Sequence, residues 1–473
     1  MIWLITILMI VYFTILYINI KRRNMSLSTS EERKKYIESL KSKADSKKTQ
    51  EIDISNIKLS EEQLNLAKLI EDSNDNFFVT GKAGTGKSVL LQYIKHTSEK
   101  KLVVAAPTGV AALNVGGETI HSLFKVPPDF IAKNSLILSR KIEGLLKRID
   151  MVIIDEISMV RADLMDAIDS LLRQAKKNDR AFGGVQVIMF GDVYQLPPIV
   201  TDRELFKYFE ENFGGYYFFN ADVWKDTKLN VHELTNIFRQ KDEKFRLILN
   251  AIRTGSVNQE ILNELNKRTL PTPDTGIVTL ATTNNSVNEI NKRHLVKLDG
   301  KAKIYEANIT GDLSESSFPT DEYLNLKEGA QVIFIKNDKE NRWVNGTIGV
   351  VEKLEDDDVI VNINGISVPV DRVSWEKVKY EYNEKTKKVD SDVTSTFTQF
   401  PLRLAWAITI HKSQGQTYTS VSIDLGYGSF AHGQTYVALS RCESLEGLYL
   451  RRRINPRDII VDQKIIKFMA RQD

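Results

Sequence analysis

The sequence predicts an α/β protein: two units built on parallel sheets, a small all-β insertion inside the second, and an apolar helix ahead of both. Three observations carry this. From about residue 59, short continuous apolar runs alternate with amphipathic stretches, the pattern of parallel strands covered on both faces by helices. Over 330–370 the texture changes to short β, with alternating apolar residues flanking Asn364-Gly365, the strongest short-range hairpin signal. The first 20 residues, MIWLITILMIVYFTILYINI, hold no charge. At 473 residues the chain is too long for one compact core, and two to four domains are expected.

Taken in order, residues 1–24 read as a single-pass membrane anchor. As a helix the uncharged stretch would span roughly 30 Å, about one bilayer core. It is too long and uniform for a signal-peptide core, and no small-residue cleavage site follows. Lys21, Arg22 and Arg23 would keep the rest of the chain on the cytoplasmic side. A second reading starts from Met25, whose MSLSTSEERKK suits a soluble N-terminus and would make 1–24 an upstream extension. Residues 25–58 are rich in Lys, Ser and Glu and read as a solvated linker. The first α/β unit covers 59–235, with strands expected at 77–79, 102–106, 151–154 and 185–190. The second covers 236–325 and 396–473, with strands at 277–281, 421–425 and 448–450. The β insertion is 326–395.

Composition narrows little. A net charge of +3 argues only weakly for a polyanionic partner. The lone cysteine, Cys442, rules out an intrachain disulfide and a cysteine-based metal cluster and fits a reducing compartment.

The chemistry lies at strand ends. GKAGTGKS, Gly81 to Ser88, follows the apolar FFV run and precedes helical SVLLQYIK. That strand–loop–helix context is the one in which G-x-x-x-x-G-K-[ST] cradles phosphates. Gly81, Gly84 and Gly86 let the backbone curl with Thr85 so that N–H groups face one anion. Lys87 reaches the β/γ-phosphates, and the Ser88 hydroxyl can hold Mg²⁺. MVIIDEIS ends a strand in Asp155 and Glu156, one acid for Mg²⁺ and one for the attacking water. IMFGDVYQLPP ends another strand, with Gln195 stiffened by two prolines; its amide can bond the γ-phosphate or the water. Arg239 in ELTNIFRQ and Arg441 in GQTYVALSR come from the junction and the second unit. Across a cleft, such arginines stabilise charge on a transferring phosphoryl group.

Two polar segments match each other in the two units. APTGVAALNVGGETIHSLF supplies Thr108, Gly109, His121, Ser122 and Phe124; AITIHKSQGQT supplies His411, Lys412 and Ser413. Small residues and hydroxyls suit phosphate contact, and an aromatic such as Phe124 suits base stacking.

The order of these motifs resembles that of superfamily-one helicases, most closely the Pif (petite integration frequency) type, cousins of RecD. The resemblance covers roughly 59–455. It implies two RecA-like P-loop NTPase lobes, with 326–395 as an SH3-like β insertion and 125–148 in the place of a small wedge element. It makes Lys87, Ser88, Asp155, Glu156, Gln195, Arg239 and Arg441 the ATP site, and Gln63 of SEEQ an adenine-contacting candidate. It makes 107–124 and 408–414 the track for single-stranded DNA. The activity implied is an ATP- and Mg²⁺-dependent DNA helicase that moves 5′→3′ and unwinds duplex junctions in repair, recombination or replication. The N-terminal apolar stretch lies outside this pattern. The residues leave two other readings open: an RNA helicase, and a membrane-tethered P-loop switch.

Overall fold

A computed structural model describes residues 59–471, apart from 129, 133–135, 201, 241, 274–275, 339, 341, 357 and 384–387. The proposed anchor and the linker at 25–58 lie outside the described residues. Among the described residues, no helix is long and apolar enough to cross a membrane.

The first parallel sheet has six strands: β1 (Phe77–Gly81), β2 (Leu102–Ala106), β3 (Glu118–Thr119), β4 (Met151–Ile154), β5 (Gln186–Phe190) and β6 (Asn230–Leu234). Their order across the sheet is β3-β2-β4-β5-β1-β6, and every neighbouring pair is parallel. Continuous apolar runs arise because both faces are covered. Phe77, Val79, Val104, Met151, Ile153 and Ile188 point to one face, packed with Leu66, Ile70, Leu90, Leu91 and Ile94. Phe78, Val103, Ala105, Val152, Ile154 and Val187 point to the other, packed with Leu164, Ile168 and Leu172. The first face is covered by α1 (Glu61–Asp72) and α2 (Lys87–Thr97). A capping box opens α1: the Gln63 N–H donates to Ser60 Oγ, and the Ser60 N–H donates to Gln63 Oε1. That exchange satisfies two amides the helix itself cannot.

The order places β4, β5 and β1 side by side. Their C-terminal ends run into Asp155-Glu156, Gly191-Asp192 and the phosphate loop. Three separate stretches of sequence thus share one edge, the edge where open parallel sheets take ligands.

A second parallel sheet orders Ala407–Thr409, Val278–Ala281, Val421–Asp424 and Leu448–Leu450. Between its strands the chain is β-rich from Lys303–Glu306 to Leu402–Leu404, wider than the 326–395 read from the sequence. A five-stranded antiparallel sheet runs 366–370, 359–363, 348–354, 331–334, 402–404. The expected hairpin joins the first two of these, with Asn364 at φ 52° and Gly365 at φ 88° and Ile363 opposite Ile366. Two positive φ angles are what a type I′ turn demands. A longer hairpin, Val373–Asn383 with Lys388–Gln399, adds Asn308–Thr310 as a third strand. Its charged, alternating sequence gives no continuous apolar signal.

Candidate nucleotide cleft and nucleic-acid track

The phosphate loop leaves β1 through Gly81 and enters α2 at Lys87. Gly86 caps α2 in the left-handed region, φ 79°, where a side chain would be strained. Lys87 Nζ donates to the carbonyls of Gly81 at 2.7 Å and Lys82 at 3.2 Å. Burial pushes its pKa down, and the nearby carboxylates of Asp192 and then Glu156 pull it back up. Thr85 Oγ1 donates to the Lys82 carbonyl at 3.0 Å. Gln63 braces the loop: its Nε2 donates to the carbonyls of Thr85 at 3.2 Å and Gly86 at 3.3 Å. Ser88 is exposed on the first turn of α2.

Asp155 and Glu156 end β4. Burial, then the adjacent Glu156 charge, raises the Asp155 carboxyl to about 7. Burial also raises Glu156, opposed by Lys87 and Arg441, so this acid lies within the fields of cations from both units. Glu156 sits at φ 50°, strained for a residue with a Cβ and common at working sites. From β5, Asp192 receives the Tyr194 N–H at 3.1 Å and Gln195 Nε2 at 3.4 Å. These two contacts fix the turn that presents Gln195.

The second unit closes over this edge. The Phe238 N–H donates to the Gly84 carbonyl at 2.9 Å. A Cβ on Gly84 would lie 2.3 Å from that of Arg239, so only glycine admits the segment there. Arg239 Nη1 donates to the Ser440 carbonyl at 3.2 Å. Arg441, 2% exposed, donates through Nε to the Val437 carbonyl at 3.0 Å and through Nη2 to Ser440 Oγ at 3.0 Å. Burial, with Arg441 alongside, lowers Arg239 to about 9. Burial pushes Arg441 below its ordinary range as well. The structure thus brings the fields of Lys87, Glu156, Asp192 and the two arginines onto one cleft.

Sequence reasoning missed four residues of this cleft. Asp192 lies inside IMFGDVYQLPP, where only Gln195 carries a spacing signal. Tyr436 Oη receives the Ala83 N–H at 3.1 Å. Arg253, 4% exposed, donates to Asp192 at 3.3 Å and Glu233 at 3.1 Å and lies 4.1 Å above the Tyr194 ring. Phe238, 59% exposed, is the nearest side chain after Gln63 to the space a Cβ on Gly86 would enter, where an aromatic ring can stack on a base. A lone arginine on an amphipathic helix, or a phenylalanine in a loop, carries no spacing signal of its own.

The residues present fit a nucleotide with Mg²⁺. Among the described residues no cluster of three or more His, Cys, Asp or Glu forms a metal cage. Mg²⁺ bound to phosphates needs only one or two protein oxygens and takes its remaining ligands from water and phosphate. An exposed hydroxyl at Ser88 and a carboxyl at Asp155 are such a donor set.

The predicted track is less uniform. Thr108 caps the helix Gly109–Val115, its Oγ1 receiving the Ala111 N–H at 3.2 Å. His121 is half-buried, and its Nε2 has no hydrogen-bond partner. Ser122 Oγ donates to Glu118 Oε2 at 2.9 Å. Lys412 is exposed and His411 half-buried. Two expectations need correction in this conformation. Phe124 is 1% exposed and packs in the core with Ile120 and Leu123, because the short helix Ile120–Phe124 turns that face inward. Ser413 is fully buried, its Oγ donating to the Ile410 carbonyl at 2.7 Å. Neither side chain is offered to a strand here. The β-rich segment lies across the first half of the track: the Tyr380 N–H donates to Glu118 Oε1 at 2.8 Å, and a Cβ on Gly109 would lie 2.4 Å from Ser317 Oγ.

Residues 58–262 match the PIF1-like helicase family. The ATP-dependent DNA helicase Pif1 of Bdellovibrio bacteriovorus is 32% identical over 429 residues, covering 87% of this chain and 92% of that protein. The human ATP-dependent DNA helicase PIF1 is 34% identical over 425 residues, and the chain spans 63% of its length. Among solved structures, unliganded Pif1 from Bacteroides sp superposes with a TM-score of 0.81 at 39% identity, over 87% of this chain and 96% of that one. Bacteroides Pif1 bound to ssDNA superposes at 0.63 with the same 39% identity, over 88% and 97%. With the phosphate loop, the acidic strand end and the arginines of the second unit on one cleft, this chain belongs to the PIF1-like helicase family.

Proposed function

We propose that the protein is an ATP-dependent DNA helicase that moves along single-stranded DNA and separates duplex at its junctions. The single observation that carries this is the cleft: a phosphate loop and an acid–amide pair from one sheet face arginines from a second α/β unit. A one-unit P-loop switch has no use for that second wall. We read the two units as RecA-like lobes, 59–235 and 236–325 with 396–473, and the β-rich segment as an SH3-like insertion. Residues 125–148 stand where the family carries a wedge.

In this reading Lys87 pairs with the β/γ-phosphates, and the loop amides cradle them. Glu156 takes the proton of the attacking water, and Gln195 orients that water. Arg239 and Arg441 stabilise charge on the phosphoryl group in flight. Ser88 and Asp155 would hold Mg²⁺, which offsets phosphate charge when bound. Phe238 is exposed where the base would stack, and Gln63, whose amide braces the loop beside it, is the further candidate for the base. Because both walls touch the nucleotide, binding draws the lobes together and hydrolysis releases them. Differential contacts of the two states with DNA turn that cycle into a step. Thr108, Gly109, His121 and Ser122 in one lobe and His411 and Lys412 in the other supply the strand contacts. The 5′→3′ polarity rests on family resemblance. For the N-terminus we propose a membrane anchor at residues 1–20 with the lobes on the cytoplasmic side, supported by the uncharged stretch and its basic flank. Membrane fractionation with N-terminal mass spectrometry tests it, and a soluble species starting at Met25 would end it.

The helicase reading is tested by strand displacement on 5′-tailed and 3′-tailed duplexes. ATP-dependent unwinding of the 5′-tailed substrate, absent in Lys87→Ala, is expected. Turnover stimulated by RNA and not by single-stranded DNA would move the reading to an RNA helicase. Turnover indifferent to both would favour a switch.

A further inference from the structure

We propose that Tyr436 is the residue through which the second lobe senses nucleotide in the phosphate loop. Its hydroxyl competes with a phosphate oxygen for the Ala83 amide and gives it up when nucleotide enters. The proposal rests on the ATPase reading above and deepens it.

A backbone N–H in a phosphate loop is a donor directed at an anion. The Ala83 N–H instead meets a neutral phenol 3.1 Å away, supplied from 353 residues along the chain. Tyr436 is 3% exposed, so this bond does not exchange freely with water. Burial, with the Asp192 carboxylate second, pushes the phenol well above its ordinary range, and the group stays protonated at any working pH. An ionised phosphate oxygen makes a hydrogen bond roughly twice as strong as a neutral acceptor, so nucleotide wins the amide once it arrives.

The space beside the pair is small. A cavity of about 20 Å³, lined by Ala83, Gln240, Arg253 and Tyr436 among others, holds about one water. Any phosphate oxygen reaching for Ala83 must therefore move the phenol. The phenol cannot move alone. It belongs to the fully buried helix Gln434–Leu439, which continues into Ser440 and Arg441. The Ser440 carbonyl receives both Arg239 Nη1 and Gln240 Nε2. At the helix start, a Cβ on Gly433 would sit 2.3 Å from the Tyr194 carbonyl oxygen and 2.6 Å from that of Gln195. One short helix thus touches the phosphate loop, the Gln195 turn and both arginines. Displacing Tyr436 by phosphate shifts all of them together, whereas a side chain there only to fill space would have no link to the loop amide.

Tyr436→Phe removes the hydroxyl and keeps the ring, so core packing is retained. The measurements are equilibrium titration with a non-hydrolysable ATP analogue, and ATP turnover with and without a single-stranded oligonucleotide. Losing one competing hydrogen bond is expected to tighten nucleotide binding roughly three- to tenfold, lower the KM for ATP, and raise DNA-independent turnover relative to the stimulated rate. Unchanged or weaker nucleotide affinity would overturn the proposal. A second arm leaves the hydroxyl in place: 3-fluorotyrosine at position 436 should give a ¹⁹F resonance that shifts with analogue concentration, and a resonance indifferent to saturating analogue would also overturn it. Wild-type protein without any ATP turnover would instead sink the helicase reading, while both binding arms still report on Tyr436.

Discussion

Lys87 and Glu156 show how opposed fields divide labour between neighbouring side chains. Burial works against charge on both, and each is the other's main or next electrostatic relief. Lys87→Ala removes the cation that the phosphates meet directly, and ATP turnover should vanish in a steady-state assay. Glu156→Gln keeps shape and hydrogen bonding but removes the base. It should bind nucleotide analogue near wild-type affinity and fail to hydrolyse ATP; normal turnover would reassign the water-activating role. Asp155 gives a pH prediction with a definite sign. Its folded-state pKa is about 7 against 3.8 unfolded, so the folded protein binds its proton more tightly. The contribution favours folding below the unfolded value and is lost as pH rises towards 7. Without nucleotide or metal, Asp155→Asn should therefore melt higher than wild type at pH 7.5, on the order of several °C, with a smaller gap at pH 5. A gap that is equal at both would show that Asp155 is not strained in the empty site. At this scale the sequence picked out candidates by motif spacing alone, Lys87 and Glu156 among them. It passed over Arg253 and Tyr436, whose roles depend on what lies across the cleft.

At the scale of elements, β1, β2, β4 and β5 were readable because both faces are buried and nearly every position is apolar. The strand β6 was not: it sits at the sheet edge, and its NVHEL is largely half-buried or exposed. The long hairpin escaped for a related reason, since Glu, Lys and Asp alternate with its few apolar residues. Phe124 illustrates the opposite error. An aromatic closing a polar segment suggested a stacking platform, but the one-turn helix around it rotates the ring into the core. Chain order alone put the loop carrying Arg239 and the helix preceding Arg441 beyond the phosphate-binding unit, and the structure sets the two arginines side by side at Ser440. Arg239→Ala and Arg441→Ala should each lower turnover strongly, up to roughly a thousandfold as for arginine fingers, while analogue affinity changes much less. Burial distinguishes them: Arg441 also holds its own helix end through Val437 and Ser440, so its alanine variant should lose thermal stability as well, and Arg239→Ala should not. An effect on DNA affinity alone would make either residue a backbone contact.

For the whole molecule, the arrangement matches the unliganded Bacteroides relative better than the ssDNA-bound one, although identity to both is the same. Sequence divergence cannot produce that gap; a different placement of parts can. The contact that occupies the candidate track is specific. Glu118, 3% exposed, divides its carboxylate between the Tyr380 amide of the long hairpin and the Ser122 hydroxyl. Tyr380 Oη adds a 3.4 Å bond to the Gly116 carbonyl. While these bonds hold, Ser122 is engaged and the hairpin covers the candidate strand path. Affinity for single-stranded DNA is then reduced by the fraction of molecules that are open. Hydrogen bonds to a charged group contribute about 1.5–3 kcal/mol, which weighs towards the covered arrangement. Glu118→Ala removes both bonds and should tighten binding of a single-stranded oligonucleotide by about tenfold or more, measured by fluorescence anisotropy at fixed salt. In the wild type, adding the oligonucleotide should speed amide hydrogen exchange over 373–383 and leave the core strand β4 protected. Unchanged or weaker DNA affinity in Glu118→Ala, with exchange over 373–383 unaffected by DNA, would mean that the hairpin is a fixed wall of the track and that the molecule admits the strand by another route.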